Sequence, residues 1–148
     1  MPKLTVLLLA ALAACSTAQP GTAPSPAAMP AATSLPAGVY TVTLVDADVP
    51  PMAPASLRGA MVGPWEMTID GSGVRALVRF SGRQVADIPL QVQGNQVTFT
   101  EGTGDYACQT AARYTWEMTP AGLRFTGTED SCTGRVVALT ARPWVKRP

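Results

Sequence analysis

The chain has 148 residues, of which 14% are charged, with 11 basic against 10 acidic side chains and no histidine. The balanced charge and the lack of a basic run argue against nucleic acid as a partner. Without histidine, Ser-His-Asp catalysis is excluded and the commonest metal ligand is missing. We therefore expect a protein that is not an enzyme and that needs no metal or other cofactor.

The chain begins with a charged start, a short apolar run and a cysteine. Lys3 precedes the apolar residues 4–11, and Leu12-Ala13-Ala14 leads directly to Cys15. The run is too short to span a bilayer, which takes about 20 apolar residues, and it suits a signal peptide. The pattern resembles the lipobox of bacterial lipoproteins, in which the cysteine is acylated and becomes the mature N-terminus. An ordinary secretory signal peptide is the alternative.

This resemblance implies a cellular location and a membrane anchor for the protein. Residues 1–14 are the expected signal peptide, and Cys15 is the expected lipidation site, so that acyl chains tether the protein to a membrane. Ser16 follows the cysteine, which resembles the sorting pattern of outer-membrane lipoproteins. The expected location is the cell envelope, at the outer membrane in preference to the inner membrane.

Residues 15–36 form a segment without large side chains, and their composition indicates a disordered tether. They are rich in alanine, threonine and serine, and no apolar period is present. Helix-breaking prolines recur at Pro20, Pro24, Pro26, Pro30 and Pro36. Residues 37–148 are expected to form one small domain.

The domain shows a repeated apolar period of two, which is typical of half-buried strands. The segments that alternate are 39–45, 65–70, 74–80, 96–100, 113–118, 123–126 and 135–142, and segment 85–92 does so less regularly. Tight turns are expected at 71–73, 93–95 and 120–122, whereas the long segments 46–62, 102–110 and 130–134 fall at the opposite end. The pattern predicts an all-β fold without helices: an antiparallel up-and-down barrel of about eight strands.

Cys108 and Cys132 remain as a pair once Cys15 is acylated. Both lie in loops at the end of the barrel that carries the long segments. In an oxidising compartment this arrangement predicts a disulfide. A free thiol pair and a metal site are the alternatives, although two cysteines without histidine make a poor zinc site.

Several short motifs between residues 38 and 144 resemble the lipocalin-like, calycin-type barrels of small bacterial lipoproteins. They are Gly63-Pro64-Trp65, Tyr114-Thr115-Trp116, Leu123-Arg124-Phe125-Thr126 and Asp130-Ser131-Cys132-Thr133-Gly134-Arg135. In that family the tryptophan of Gly-x-Trp packs beneath an arginine late in the chain. The resemblance implies such a pair between Trp65 and either Arg135 or Arg142, with Arg135 preferred.

An eight-stranded barrel is either filled by its own side chains or holds one small ligand. The resemblance implies a small apolar or amphipathic ligand, and the inward residues expected to line its pocket are Tyr40, Trp65, Met67, Tyr114 and Trp116. The alternative is a protein-interaction module, such as an envelope inhibitor or a scaffold, with a filled barrel and a loop that protrudes at residues 102–106. An apolar cavity above about 300 Å³ favours the binder. We expect a monomer.

Carboxylates also gather at the end with the long segments, namely Asp46, Asp48, Asp105, Glu129 and Asp130. Calcium needs six to eight oxygen ligands, and no loop here has the spacing of an EF-hand. The expectation is no metal site, with solvated loops and ion pairs to Arg58, Arg83 and Arg135.

Overall fold

The computed structural model describes residues 34–148, apart from the side chain of Thr128. Eight antiparallel strands form a nearly closed barrel: β1 (Gly38–Leu44), β2 (Gly63–Ile69), β3 (Arg75–Phe80), β4 (Arg83–Gln93), β5 (Gln96–Phe99), β6 (Ala112–Thr119), β7 (Gly122–Glu129) and β8 (Val145–Lys146). Their order in the sheet, β7-β6-β5-β4-β3-β2-β1-β8, is that of an up-and-down meander. The predicted fold class is therefore confirmed. The predicted signal peptide, Cys15 and most of the tether lie outside the described residues.

The barrel is closed by the last residues of the chain. The backbone of Trp144 exchanges two hydrogen bonds with Leu123 of β7, of 2.9 and 2.8 Å. The next two residues form β8 and pair with Tyr40 and Thr41 of β1. This segment thus lies between the first and seventh strands and joins the two edges of the sheet.

Two helices were not predicted: α1 (Ala55–Met61) and α2 (Thr133–Thr140). The prediction of a strand over 135–142 was wrong, and so was the expectation of no helix. Arg135, Val137 and Leu139 are indeed buried alternately. In a helix, however, Val137 faces the side opposite to Arg135 and Leu139, because successive residues are about 100° apart. Burial on both sides of α2, which packs against β7 and α1, produced the apparent period of two.

Residues just before the predicted domain start at residue 37 already pack onto the barrel. Leu35 is only 1% exposed and belongs to the hydrophobic core. It passes so close to the β2–β3 turn that a Cβ atom at Gly73 would lie 2.5 Å from the Leu35 carbonyl oxygen. The next residue is also engaged, since the Tyr40 hydroxyl donates a 2.7 Å hydrogen bond to the Pro36 carbonyl. Residues 34–36, the end of the predicted tether, are part of the domain.

The two ends of the barrel differ, as the sequence predicts. Tight turns join β2 to β3, β4 to β5 and β6 to β7 at one end. At the other end, β3 and β4 are joined through Ser81 and Gly82, whose φ angles of 50° and 82° are those of a two-residue hairpin turn. That same end carries α1, residues 100–111 and α2. The two helices therefore cover one mouth of the barrel.

Candidate functional site

An apolar cavity of about 280 Å³ lies between the barrel interior and the two helices. Its wall is formed by strands, by both helices and by the segments next to them. The strands contribute Trp65, Met67, Val78, Val85, Ala86, Ile88 and Phe99. The helices contribute Leu57, Ala60 and Met61 from α1 and Gly134, Arg135, Ala138 and Leu139 from α2, and the other segments contribute Tyr106, Cys108, Cys132 and Trp144. Among these lining residues, all within 34–148, Arg135 is the only charged one. The cavity is thus an apolar chamber with a single cation in its wall.

The helices are fixed to the barrel by indole hydrogen bonds. Trp65 Nε1 donates to the carbonyl of Met61 at the end of α1, at 2.8 Å. Trp144 Nε1 donates to the carbonyl of Ala138 in α2, at 3.1 Å. Both tryptophans also line the cavity. The indole rings therefore form part of the wall and hold the helices that form the rest of it.

A cluster of three aromatic rings extends from the cavity towards the surface. The Trp65 and Phe80 ring centroids are 4.8 Å apart, and Tyr106 lies 6.0 and 6.1 Å from them, respectively. Trp65 is 5% exposed, whereas Tyr106 is 38% exposed. Because Tyr106 lines the cavity and also meets solvent, it marks the opening of the cavity.

The loop that carries Tyr106 is folded back onto β4, so the expectation of a protruding loop at residues 102–106 was wrong. Asp87 and Thr103 exchange two backbone hydrogen bonds of 2.8 and 2.9 Å, and Tyr106 N–H donates to the Val85 carbonyl at 2.9 Å. A Cβ atom at Gly104 would lie 2.5 Å from that same carbonyl oxygen. Glycine at this position permits the close approach of the two chains.

Arg135 and Asp130 form a buried ion pair at the cavity wall. Arg135 Nε and Nη2 donate to the two carboxylate oxygens of Asp130, at 2.6 and 2.8 Å. The side chains are 5% and 2% exposed, respectively. The carboxylate also accepts hydrogen bonds from the Tyr114 hydroxyl and, at 2.7 Å, from Cys132 N–H. The carboxylate is thereby held by donors from β6, α2 and the loop between β7 and α2.

These contacts keep both members of the pair charged. Burial on its own would raise the pKa of Asp130, but the hydrogen bonds from Arg135, Tyr114 and Cys132 outweigh it, and the pKa lies below its ordinary value. Burial would lower the pKa of Arg135, but the Asp130 carboxylate raises it above its ordinary value. Burial and the same carboxylate raise the pKa of Tyr114. At neutral pH the cluster holds one cation, one anion and a neutral phenol.

Cys108 and Cys132 are a confirmed pair, since their Sγ atoms lie 1.96 Å apart, at disulfide distance. Cys132 immediately precedes α2, and Cys108 follows the Tyr106 loop. The bond connects the loop at the cavity opening to the helix that forms one cavity wall. Both cysteines line the cavity.

The structure separates the five residues predicted to bind ligand. Trp65 and Met67 lie on the cavity wall. Tyr40, Tyr114 and Trp116 are buried but are not among the residues that line it. The Tyr40 hydroxyl donates a hydrogen bond to the Pro36 carbonyl, and the Tyr114 hydroxyl donates one to the Asp130 carboxylate. Trp116 Nε1 is buried, and no residue of 34–148 accepts a hydrogen bond from it.

Sequence reasoning missed the contribution of the helices and of Tyr106 to the cavity. The sequence did contain one signal for this part of the wall. The Asp130-x-Cys132-x-x-Arg135 motif holds both members of the buried ion pair and one cysteine of the disulfide. Trp65 and Arg135 both line the cavity, and the packing pair that the resemblance implies for them stays a prediction. Arg142 instead pairs with Asp48 at 2.7 Å.

Two other carboxylates at this end form the predicted ion pairs. Arg58 binds Asp46 at 2.9 Å and Arg83 binds Asp105 at 2.7 Å. Within residues 34–148, no three acidic or cysteine side chains come close enough together to hold a metal ion. No helix in that part of the chain is both long and apolar enough to cross a membrane.

Comparison of the chain with protein-family models, with curated proteins and with solved structures found no match. The cavity and its wall are therefore the features from which a function is proposed.

Proposed function

We propose that this chain is a lipocalin-like lipoprotein of the cell envelope that binds one small apolar or amphipathic molecule in its barrel. Acyl chains on Cys15 anchor it, at the outer membrane in preference to the inner membrane. The proposed function is non-enzymatic and involves no cofactor and no nucleic acid. The observation that carries the binding proposal is the apolar cavity between the barrel and the two helices.

The size and lining of the cavity suit a small ligand. Its volume of about 280 Å³ lies just below the ~300 Å³ expected of a binder, at which the range of small-molecule pockets begins. Such pockets are mostly apolar, with few polar groups that orient the ligand, and here Arg135 is the charged group of the wall. Transfer of apolar ligand surface from water stabilises the complex by roughly 25 cal/mol per Å².

Two observations favour a binder over the interaction module. A filled barrel would leave no such cavity, and the loop expected to reach a protein partner lies against β4 instead. The aromatic cluster also extends from Trp65 in the cavity wall to Tyr106, which lines the cavity and is exposed to solvent.

The binding proposal is tested by filling the cavity. Ala60 of α1 lines the cavity, whereas Ala55 at the start of the same helix is exposed. Ala60→Phe therefore adds a phenyl ring inside the cavity, and Ala55→Phe adds the same ring on the surface. Both are made in the full chain with Cys15→Ser. This chain carries no acyl chains and needs no detergent, which would compete with the ligand for the cavity.

Displacement of an apolar fluorescent probe is then measured with medium-chain alcohols and amides. We expect Ala55→Phe to bind as the parent does and Ala60→Phe to bind at least roughly tenfold more weakly, a difference of about 1.4 kcal/mol. Equal affinity in both variants, or no binding by the parent, contradicts the proposed site.

A further inference from the structure

One nitrogen of the Arg135 guanidinium, Nη1, makes no hydrogen bond to residues 34–148. The other two nitrogens, Nε and Nη2, donate to Asp130. In that part of the chain, Trp116 Nε1 is the only buried side-chain nitrogen or oxygen that is sealed off without a partner. Nη1 is therefore in contact with open space. Arg135 is one of the residues that line the cavity, so the cavity is the space to which we assign Nη1.

The charge of Arg135 is already neutralised. Its side chain and that of Asp130 are 5% and 2% exposed, so the pair is enclosed in a medium of low dielectric. A ligand carboxylate bound at Nη1 would bring a second anion close to Asp130 and would leave the buried group with a net negative charge. Enclosing an uncompensated charge is strongly unfavourable. A neutral oxygen acceptor at the same place pairs with Nη1 and adds no charge.

We infer that the cavity selects an uncharged, compact amphiphile with a carbonyl or hydroxyl oxygen that accepts a hydrogen bond from Arg135 Nη1, and that it discriminates against carboxylates. This inference rests on the proposed binding function and narrows it to one ligand class. The ligand's apolar part lies against the aromatic and aliphatic wall. Its neutral head lies at Arg135.

The test uses two ligands of nearly the same shape, decanamide and decanoate, with the full chain carrying Cys15→Ser. Affinities are measured by titration calorimetry at pH 7.5. We expect decanamide to bind more tightly by roughly tenfold or more, which corresponds to about 1.4 kcal/mol. Equal or tighter binding of decanoate overturns the inference but leaves the binding function standing. Binding of neither ligand contradicts the proposed function itself.

A charge variant reverses the expected preference. Asp130→Asn keeps the shape of the side chain but leaves the Arg135 cation uncompensated, so that a carboxylate ligand becomes the missing counter-ion. We expect the affinity for decanoate, relative to that for decanamide, to rise roughly tenfold. Asp87→Asn, which removes the partner of Arg75 at a surface ion pair, is the matched control and should leave the preference as it was. An unchanged preference in a folded Asp130→Asn variant overturns the inference.

A second measurement covers the case in which Asp130→Asn does not fold. The titratable groups that contact Arg135 are Asp130, whose pKa is lowered, and Tyr114, whose pKa is raised, and the chain has no histidine. Lowering the pH from 7.5 to 5 therefore protonates the ligand before it changes this cluster. We expect the affinity for decanoate to rise towards that for decanamide, which itself stays constant. A decanoate affinity that does not rise overturns the inference.

Discussion

Replacement of Trp144 by alanine is expected to destabilise the barrel severely, because its indole ring is buried and hydrogen-bonded to α2. The side chain is 1% exposed, lines the cavity, and donates from Nε1 to Ala138 of α2 at 3.1 Å. Removing a buried tryptophan typically costs about 3–5 kcal/mol. The loss is large beside the ~5–15 kcal/mol by which small domains are stable.

The free energy of unfolding is measured in guanidinium chloride by far-ultraviolet circular dichroism, since the substitution removes a fluorophore. Val145→Ala is the control, because Val145 is 56% exposed in the same segment and should change the free energy by at most about 0.5 kcal/mol. Trp144→Phe keeps a ring but loses the donor to Ala138, so its loss should fall between the two. A loss below about 1 kcal/mol for Trp144→Ala would refute the burial of this indole ring against α2.

Three further predictions concern the disulfide, the buried ion pair and the anchor. Replacing Cys108 and Cys132 by serine should lower the free energy of unfolding by roughly 3 kcal/mol, because the bond closes a loop with a sequence separation of 24, and denaturant titration of the oxidised parent gives the comparison. The folded pKa of Asp130 lies below its ordinary value of 3.8, so its stabilisation is complete above that value and is lost as the pH falls through the lowered pKa. Asp130→Asn should therefore flatten the acid limb of the stability profile, and an equally steep limb in the variant would contradict this. The parent chain should incorporate labelled palmitate and sediment with membranes, whereas Cys15→Ser should do neither; label retained after that substitution would rule out Cys15 as the acceptor.

Most of the barrel was predictable because its strands have one face buried and the other in solvent. In β2, for example, Trp65, Met67 and Ile69 are buried while the residues between them are at least partly exposed. Such alternation indicates strands directly. Glycine- and proline-containing turns then fixed the connections, so that the meander and the meeting of Cys108 with Cys132 at one end followed.

The last element was not predictable by the same signal. Residues 135–142 alternate in apolar character because α2, which occupies most of them, is buried both on the side that lines the cavity and on the opposite side. The true closing strand, Val145–Lys146, has two residues, and both are exposed, so it shows no apolar period at all. Barrel closure depends here on backbone hydrogen bonds to strands that are distant in sequence.

The cavity could be predicted only in part. Trp65 and Met67 followed from the inward face of β2, but Tyr40 and Tyr114 have the same alternation and face other parts of the interior. Which inward residues meet empty space depends on where α1 and α2 sit over the mouth of the barrel. That placement is a tertiary property and leaves no periodic trace in the sequence.

The other functional proposals depend on a small molecule being bound in the cavity between the barrel and the helices. This binding is tested most directly by native mass spectrometry of the full chain with Cys15→Ser, purified without detergent from the cells that produce it, beside the same chain with Ala60→Phe. We expect an additional non-covalent mass on the first protein that is released on unfolding and is absent from the second. A bare mass for the first protein, or the same adduct on both, would contradict it.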